Sequence, residues 1–269
     1  MEMNRVLSIS FLIVFATMAW APLGQQAFME EHWMKVGAYI APVLLFLAFN
    51  GRSVYERKIL SDVTLMACIL TAAYLVHQVE EHWVDLLGRP YPLYDFLNTL
   101  IAEVAGEDRY GLLTPSAIFY VNAGMVWTVG FTSILVSPKH AFPAIAMAGL
   151  MIVNGVAHVL NGLAYQSYNS GLATGLLIFV PIGVLFYRRL VRDGMASRFM
   201  LGAGVLWGVL GHVFLFAGLF AANVYGLFPV SLYYAGLIIW GLVPMALFRN
   251  SPGPESHQAS EALNRQRPF

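Results

Sequence analysis

Apolar stretches of roughly 15 to 24 residues recur along nearly the whole chain. Each is about the length a helix rising about 1.5 Å per residue needs to cross a bilayer. In lipid the backbone must satisfy its own N–H and C=O groups, so this repetition points to helices. About eight spans are expected: Val6 to Pro22, Val36 to Asn50, Asp62 to Glu81, Pro115 to Val136, Phe142 to Ala164, Leu172 to Tyr187, Phe199 to Ala222 and Leu227 to Phe248. The second and sixth are short for a crossing. The expected fold is all-α, a polytopic transmembrane helical bundle. Composition agrees, since 58% of residues are apolar, 11% are charged and the mean hydropathy is +0.66. A soluble globular domain has a different balance.

Lys+Arg and Asp+Glu number 15 each, which leaves no basic surface for a nucleic acid. With eight spans, twelve of the Lys and Arg residues fall on one side, at the N-terminus, the even loops and the C-terminal tail. Lys35, Arg89 and Arg109 fall on the other. That bias places both termini in the cytoplasm, and the protein is expected in the cytoplasmic (plasma) membrane as a multi-pass chain. Ala19-Trp20-Ala21 looks like a signal-peptidase site, but Pro22 directly after it is a poor cleavage context, so the first segment is expected to stay as a span. Residues 1–250 form one transmembrane domain, in which the third loop, 84–114, packs partly on the membrane surface. Thr114-Pro115 supplies an N-cap and a first-turn proline for the next span. The Pro-containing stretch 251–269 is expected to be a disordered cytoplasmic tail. The one cysteine, Cys68, excludes an internal disulfide and a Cys-based zinc cluster and is expected to be a small core residue.

Ionisable groups inside a span cost roughly 2.5 to 3.5 kcal/mol on insertion scales, so they are usually paired or functional. His77-Gln78-Val79-Glu80-Glu81-His82 closes the third span. On a helix His77, Glu80 and Glu81 stand at i, i+3 and i+4, so an imidazole and two carboxylates are expected to converge. His82 lies about 140° around from His77. The spacing is neither H-E-x-x-H nor H-x-x-E-H, and no zinc protease is inferred. In the fifth span Asn154 and His158 form another i, i+4 pair. Helix rise places His77, His158, His212 and Asn122 in one polar layer near the extracytoplasmic face. His32, His82, Asn122 and His212 are further candidates for the site. Against each stands a plain alternative: solvation in a short outer loop for Glu30, Glu31 and His32, solvation at the cytoplasmic boundary for His140, and hydrogen-bonded packing for His212 and Asn122. Glu30-Glu31-His32-Trp33 repeats as Glu80-Glu81-His82-Trp83, a weak echo that would fit repeated helical hairpins.

The run from His77 to Arg89, Leu112-Leu113-Thr114-Pro115, Phe119-Tyr120-Val121-Asn122, Asn154 with His158, and Tyr168-Asn169-Ser170-Gly171-Leu172 occur in that order. Together they resemble the HXXEE family of integral membrane proteins, whose motif His77, Glu80 and Glu81 fill. The resemblance covers roughly residues 62–190, with Ser170 where the family usually has Pro. It implies a site formed by His77, Glu80, Glu81, Asn154 and His158 and names no substrate.

Imidazole nitrogens and carboxylate oxygens suit zinc, iron or manganese. The leading expectation is a membrane-embedded metal-dependent enzyme, a hydrolase or oxidoreductase, holding one or two divalent transition-metal ions. His77, His158 and one of Glu80 or Glu81 would be ligands, and the other Glu a bridge or general base. Asn154 and Asn122 would orient ligands or substrate. A site within the bilayer implies a lipidic or hydrophobic small-molecule substrate arriving laterally. Two alternatives use the same residues: a metal-free acid–base enzyme of isomerase type on the Glu80/Glu81 pair, and a proton- or metal-coupled transporter.

Overall fold

The computed structural model describes residues 26–55 and 62–249. The first expected span and the expected disordered tail lie outside these residues. Eight helices follow in order: α1 Gln26–Tyr55, α2 Val63–His82, α3 Pro92–Ala105, α4 Pro115–Val136, α5 Phe142–Tyr165, α6 Leu172–Arg192, α7 Arg198–Val224 and α8 Val230–Ala246. Among the described residues no strand is formed, and six helices are long and apolar enough to cross a membrane. The other two are α3 and the 17-residue α8. The protein is an integral membrane protein of the all-α class.

Local chemistry sets the helix ends. Asp62 begins α2 by accepting the backbone N–H groups of Thr64 and Leu65 at 3.0 and 3.1 Å. Thr114 caps α4 through the Ala117 N–H at 3.2 Å, with Pro115 in the first turn as expected. Ser197 caps α7. Three π-helical turns, Tyr120–Trp127, Gly175–Phe179 and Phe220–Val224, interrupt α4, α6 and α7. Such turns are frequent at functional sites.

The bundle is built around α5. Its first ten residues, Phe142 to Met151, are buried all round, as an apolar helix at the centre of a bundle must be. It packs against α2, α4, α6 and α7, while α1 leans on α2 and α8 on α4. Cys68 lies in this core. α5 and α7 approach closely where Gly149 faces the backbone of Gly204. Without side chains at that crossing the two backbones meet directly, the form of packing small residues permit in membranes.

Three expectations change. The second span begins about ten residues earlier than its apolar core, because α1 starts at Gln26. Glu30, Glu31 and His32 therefore sit on a helix and not in a short loop. The first EEHW tetrapeptide lies near the start of α1 and the second spans the end of α2, so the two copies do not occupy equivalent places. They do touch, since the Trp33 and His82 rings meet edge to face at 5.0 Å. His140 is half-buried rather than solvated, with its Nε2 donating to the Pro244 carbonyl at 3.2 Å. Burial holds its pKa below the ordinary imidazole value.

The third loop is ordered by Asp85. Its carboxylate accepts the Leu87 and Arg89 N–H groups, each at 2.9 Å, and the Arg89 Nε–H at 2.6 Å. Burial opposes the charge, but these donors outweigh it and lower the carboxyl pKa. Beyond this turn α3 buries Leu97, Asn98 and Ile101 against the bundle. Asn98 Oδ1 ties the returning chain down by accepting from the N–H groups of Gly111 and Leu113 at 3.1 and 3.2 Å.

Candidate metal centre

The end of α2 carries the motif into the junction of α4, α5 and α6. His77 and Glu81 lie one turn apart, and Glu81 Oε2 is 3.2 Å from His77 Nε2. Its other oxygen, Oε1, is 2.8 Å from Nε2 of His158, brought in by α5. The two imidazoles stand edge to face with centroids 5.1 Å apart. One ligand atom from each of His77, Glu81 and His158 lies within 4.8 Å of the others. His77 is wholly buried, with Phe179 stacked at a tilt 4.2 Å away.

Glu80 does something different. Steps of three and four residues from His77 turn the helix by about −60° and +40°, so the two carboxylates diverge by about 100°. Glu80 points at the start of α6, where it accepts the backbone N–H groups of Ala173 and Thr174 at 3.2 and 2.8 Å and the Thr174 hydroxyl. The Tyr168 hydroxyl donates to it at 2.7 Å, and burial together with this carboxylate pushes the phenol pKa up, so the donor keeps its proton. A carboxylate at a helix N-terminus is well placed for the helix dipole and the orphan N–H groups. The expected convergence therefore holds for His77 and Glu81, and Glu80 joins through Thr174.

Hydrogen bonding decides which imidazole nitrogen carries the proton. The Thr174 hydroxyl gives its proton to Glu80, so it must accept from His77 Nδ1–H, 2.6 Å away. The lone pair of His77 Nε2 is then bare, buried and without an aligned hydrogen-bond partner. At His158 the same follows from Asn169, whose Nδ2 donates to the His158 carbonyl at 3.0 Å and whose Oδ1 accepts from Nδ1–H at 2.8 Å. Both Nε2 lone pairs face the two oxygens of Glu81. Four acceptors around one point repel unless a cation lies among them, either protons on the rings or a metal ion. An imidazole held by its other nitrogen on a carboxylate or amide is the usual support for a metal ligand.

A second chain fixes His82. The indole of Trp127 can only donate, and it gives its proton to Gln78 Oε1 at 2.8 Å. Gln78 Nε2 donates to Asn122 Oδ1 at 2.9 Å, which leaves Asn122 Nδ2 to donate to the Ile118 carbonyl and to His82 Nε2 at 2.9 and 3.2 Å. His82 Nε2 is 3.5 Å from Glu81 Oε2 but already accepts from Asn122. His82 and Asn122 thus border the centre as packed hydrogen-bonding residues. Replacing Gln78 with Leu orphans the indole N–H and the Asn122 carbonyl together. Thermal unfolding in detergent should show a loss of about 1 kcal/mol, and an unchanged midpoint would mean that the chain is not formed.

The remaining candidates are placed as follows. Asn154 donates to the Tyr74 hydroxyl at 3.2 Å, one turn below His158. His212 donates from Nδ1 to the Gly208 carbonyl at 2.9 Å and faces a cavity of about 680 Å³ that also reaches Glu81, His82 and His158. His32 lies on α1 with Lys35 3.3 Å from its Nδ1 and is not brought to the centre. Sequence reasoning assigned no role to Thr174, Asn169, Gly171 or Gln78. For Asn169 and Gly171 the signal was the polar run Tyr168-Asn169-Ser170-Gly171 between two apolar spans, whereas Gln78 and Thr174 lie within the spans and carried none.

Residues 68–186 match the family model described as "Protein of unknown function with HXXEE motif". The chain carries an HXXEE segment. No curated protein and no solved structure matches the chain. The HXXEE segment contains all three ligand candidates, and it holds Glu80, Thr174 and Asn169 as well. Within it the motif letters divide the work: His77 and Glu81 face the centre, and Glu80 anchors the helix that locks His77.

Proposed function

We propose that the chain is a membrane-embedded metal-dependent enzyme, a hydrolase or oxidoreductase, acting on a lipidic or hydrophobic substrate. One divalent transition metal, zinc, iron or manganese, would be held by His77, Glu81 and His158. The observation that carries this is the pair of imidazoles whose Nδ1–H groups are held by Thr174 and Asn169 and whose Nε2 atoms face one carboxylate, that of His77 without a hydrogen-bond partner. When bound, such an ion supplies Lewis acidity toward a substrate oxygen. Glu80 and Thr174 hold the His77 ring, and Asn169 holds the His158 ring. The Lys and Arg bias supports an orientation with the centre in the extracytoplasmic half, and the proposed location is the plasma membrane.

Elemental analysis of protein purified without chelator tests this. About one ion per chain is expected, lost in His77→Ala, His158→Ala and Glu81→Gln. Glu80→Gln should retain a weakened site, by roughly tenfold in affinity, because it disturbs only the support of His77. Wild-type protein without metal would overturn the proposal.

One distance favours a second reading. The 2.8 Å separation of His158 Nε2 from Glu81 Oε1 is that of a charge-assisted hydrogen bond. With the ring protonated, the same residues would serve metal-free acid–base chemistry. In that case Glu81, not the Glu80/Glu81 pair, is the carboxylate that exchanges the proton, since Glu80 is consumed by α6.

A further inference from the structure

The cavity beside the centre has two unlike walls. On the side of α2 and α5 it presents Tyr74, Glu81, Asn154 and His158, and on the side of α4 and α7 it is mostly apolar, with Ile118, Val121, Met125, Leu215 and Leu219 beside Asn122 and His212. At about 680 Å³ it is within the usual range for a cavity that encloses one small-molecule ligand. Arg89 is the one Lys or Arg among its described lining residues, and it is bound to Asp85 at 2.6 Å. A phosphate headgroup would find no unpaired Lys or Arg side chain there.

The polar wall holds unused hydrogen-bonding capacity. Asn154 Oδ1 is buried without a partner, while its Nδ2 donates to the Tyr74 hydroxyl. The phenol keeps a proton to give. Exchanging the amide nitrogen and oxygen leaves the same complement, one donor and one acceptor. A buried polar group left unpaired is costly, and a bound group that both donates and accepts would satisfy it.

We infer that this cavity binds a neutral single-chain amphiphile, whose amide or hydroxyl group pairs with Asn154 and Tyr74 beside Glu81 and His158 and whose hydrocarbon chain lies between α4 and α7. The inference rests on the enzyme site proposed above and names its substrate class. A phospholipid headgroup would lack the Lys or Arg partner it ordinarily takes. Long-chain amides and alcohols fit because their polar group needs no counter-ion.

Photo-labelling of the full chain in nanodiscs tests this, with a sixteen-carbon primary amide carrying a mid-chain diazirine as the probe. Labels are expected on α4 and α7 around Val121, Met125 and Leu215, and Met125→Trp should reduce them. Unlabelled hexadecanamide should compete at least roughly tenfold better than palmitoyl lysophosphatidylcholine, and Asn154→Leu should raise the amide concentration needed by about tenfold, the loss of one buried hydrogen bond. Labels confined to outward residues such as Tyr39 and Leu177, equal competition by the lysophospholipid, or an unaffected Asn154→Leu variant would each overturn the inference. Labelling is read with and without chelator. Missing metal would sink the enzyme proposal and leave chain binding readable, whereas missing cavity labels in metal-replete protein would sink this inference alone.

Discussion

Replacing Gly171 with alanine is expected to abolish metal retention while leaving the helical bundle folded. Gly171 precedes α6 at φ +88, in the left-handed region. There an added Cβ costs about 1 kcal/mol of backbone strain by itself. The larger effect is local. That Cβ would stand 2.6 Å from His158 Cε1 and 2.8 Å from both His158 Nε2 and His77 Cε1. Neither ring can turn aside without breaking its Nδ1 hydrogen bond to Asn169 or Thr174. The metal-to-protein ratio should fall by roughly tenfold or more, as when a ligand's supporting contacts are lost, while circular dichroism keeps its helical shape. A Gly171→Ala protein that binds metal as the wild type does would show that the ion does not sit between these imidazoles.

The largest expected effect on stability comes from Gly149. Its Cβ would lie 2.3 Å from the Gly204 carbonyl oxygen, 2.5 Å from that carbonyl carbon and 2.8 Å from the Tyr187 hydroxyl. Two of these are backbone atoms of α7, so no rotamer change relieves the contact and the helices must separate. Separation also strains the hydrogen bond from the Tyr187 hydroxyl to the Ile145 carbonyl, 2.8 Å long. Gly149→Ala should cost about 3 kcal/mol, seen as a lower unfolding midpoint and reduced yield of folded protein. Gly202→Ala is the contrast, since nothing lies within 4 Å of a Cβ there. It should be neutral or raise stability by up to about 1 kcal/mol, the helix propensity difference. Equal behaviour of the two variants would mean that α5 and α7 are not in backbone contact.

Much of the fold was legible because hydrophobic length in a bilayer is a strong constraint. The spans from Pro115 to Val136 and from Phe142 onward begin where Thr114-Pro115 and the apolar run predict. The start of α1 was not legible, because Glu30, Glu31 and His32 are polar enough to read as loop yet sit on a helix. Of the site, the i, i+4 relation of His77 and Glu81 follows from helix geometry alone, as does that of Asn154 and His158. The separate fate of Glu80 was missed, since treating i+3 and i+4 as one face ignores the roughly 100° between them. Thr174 and Asn169 were missed for another reason: a lone hydroxyl or amide carries no spacing signal, and each acts on a residue far away in the chain.

The sequence by itself therefore determined a membrane helical bundle and which residues pay a desolvation cost high enough to require partners. Only the tertiary structure decided which partners they meet. Helix periodicity orders residues within one span, whereas the rotation and depth of α5 and α6 against α2 are set by side-chain packing and backbone contacts between helices. Those contacts bring His158 to Glu81, seat the start of α6 on Glu80, and so put two imidazole lone pairs on one carboxylate.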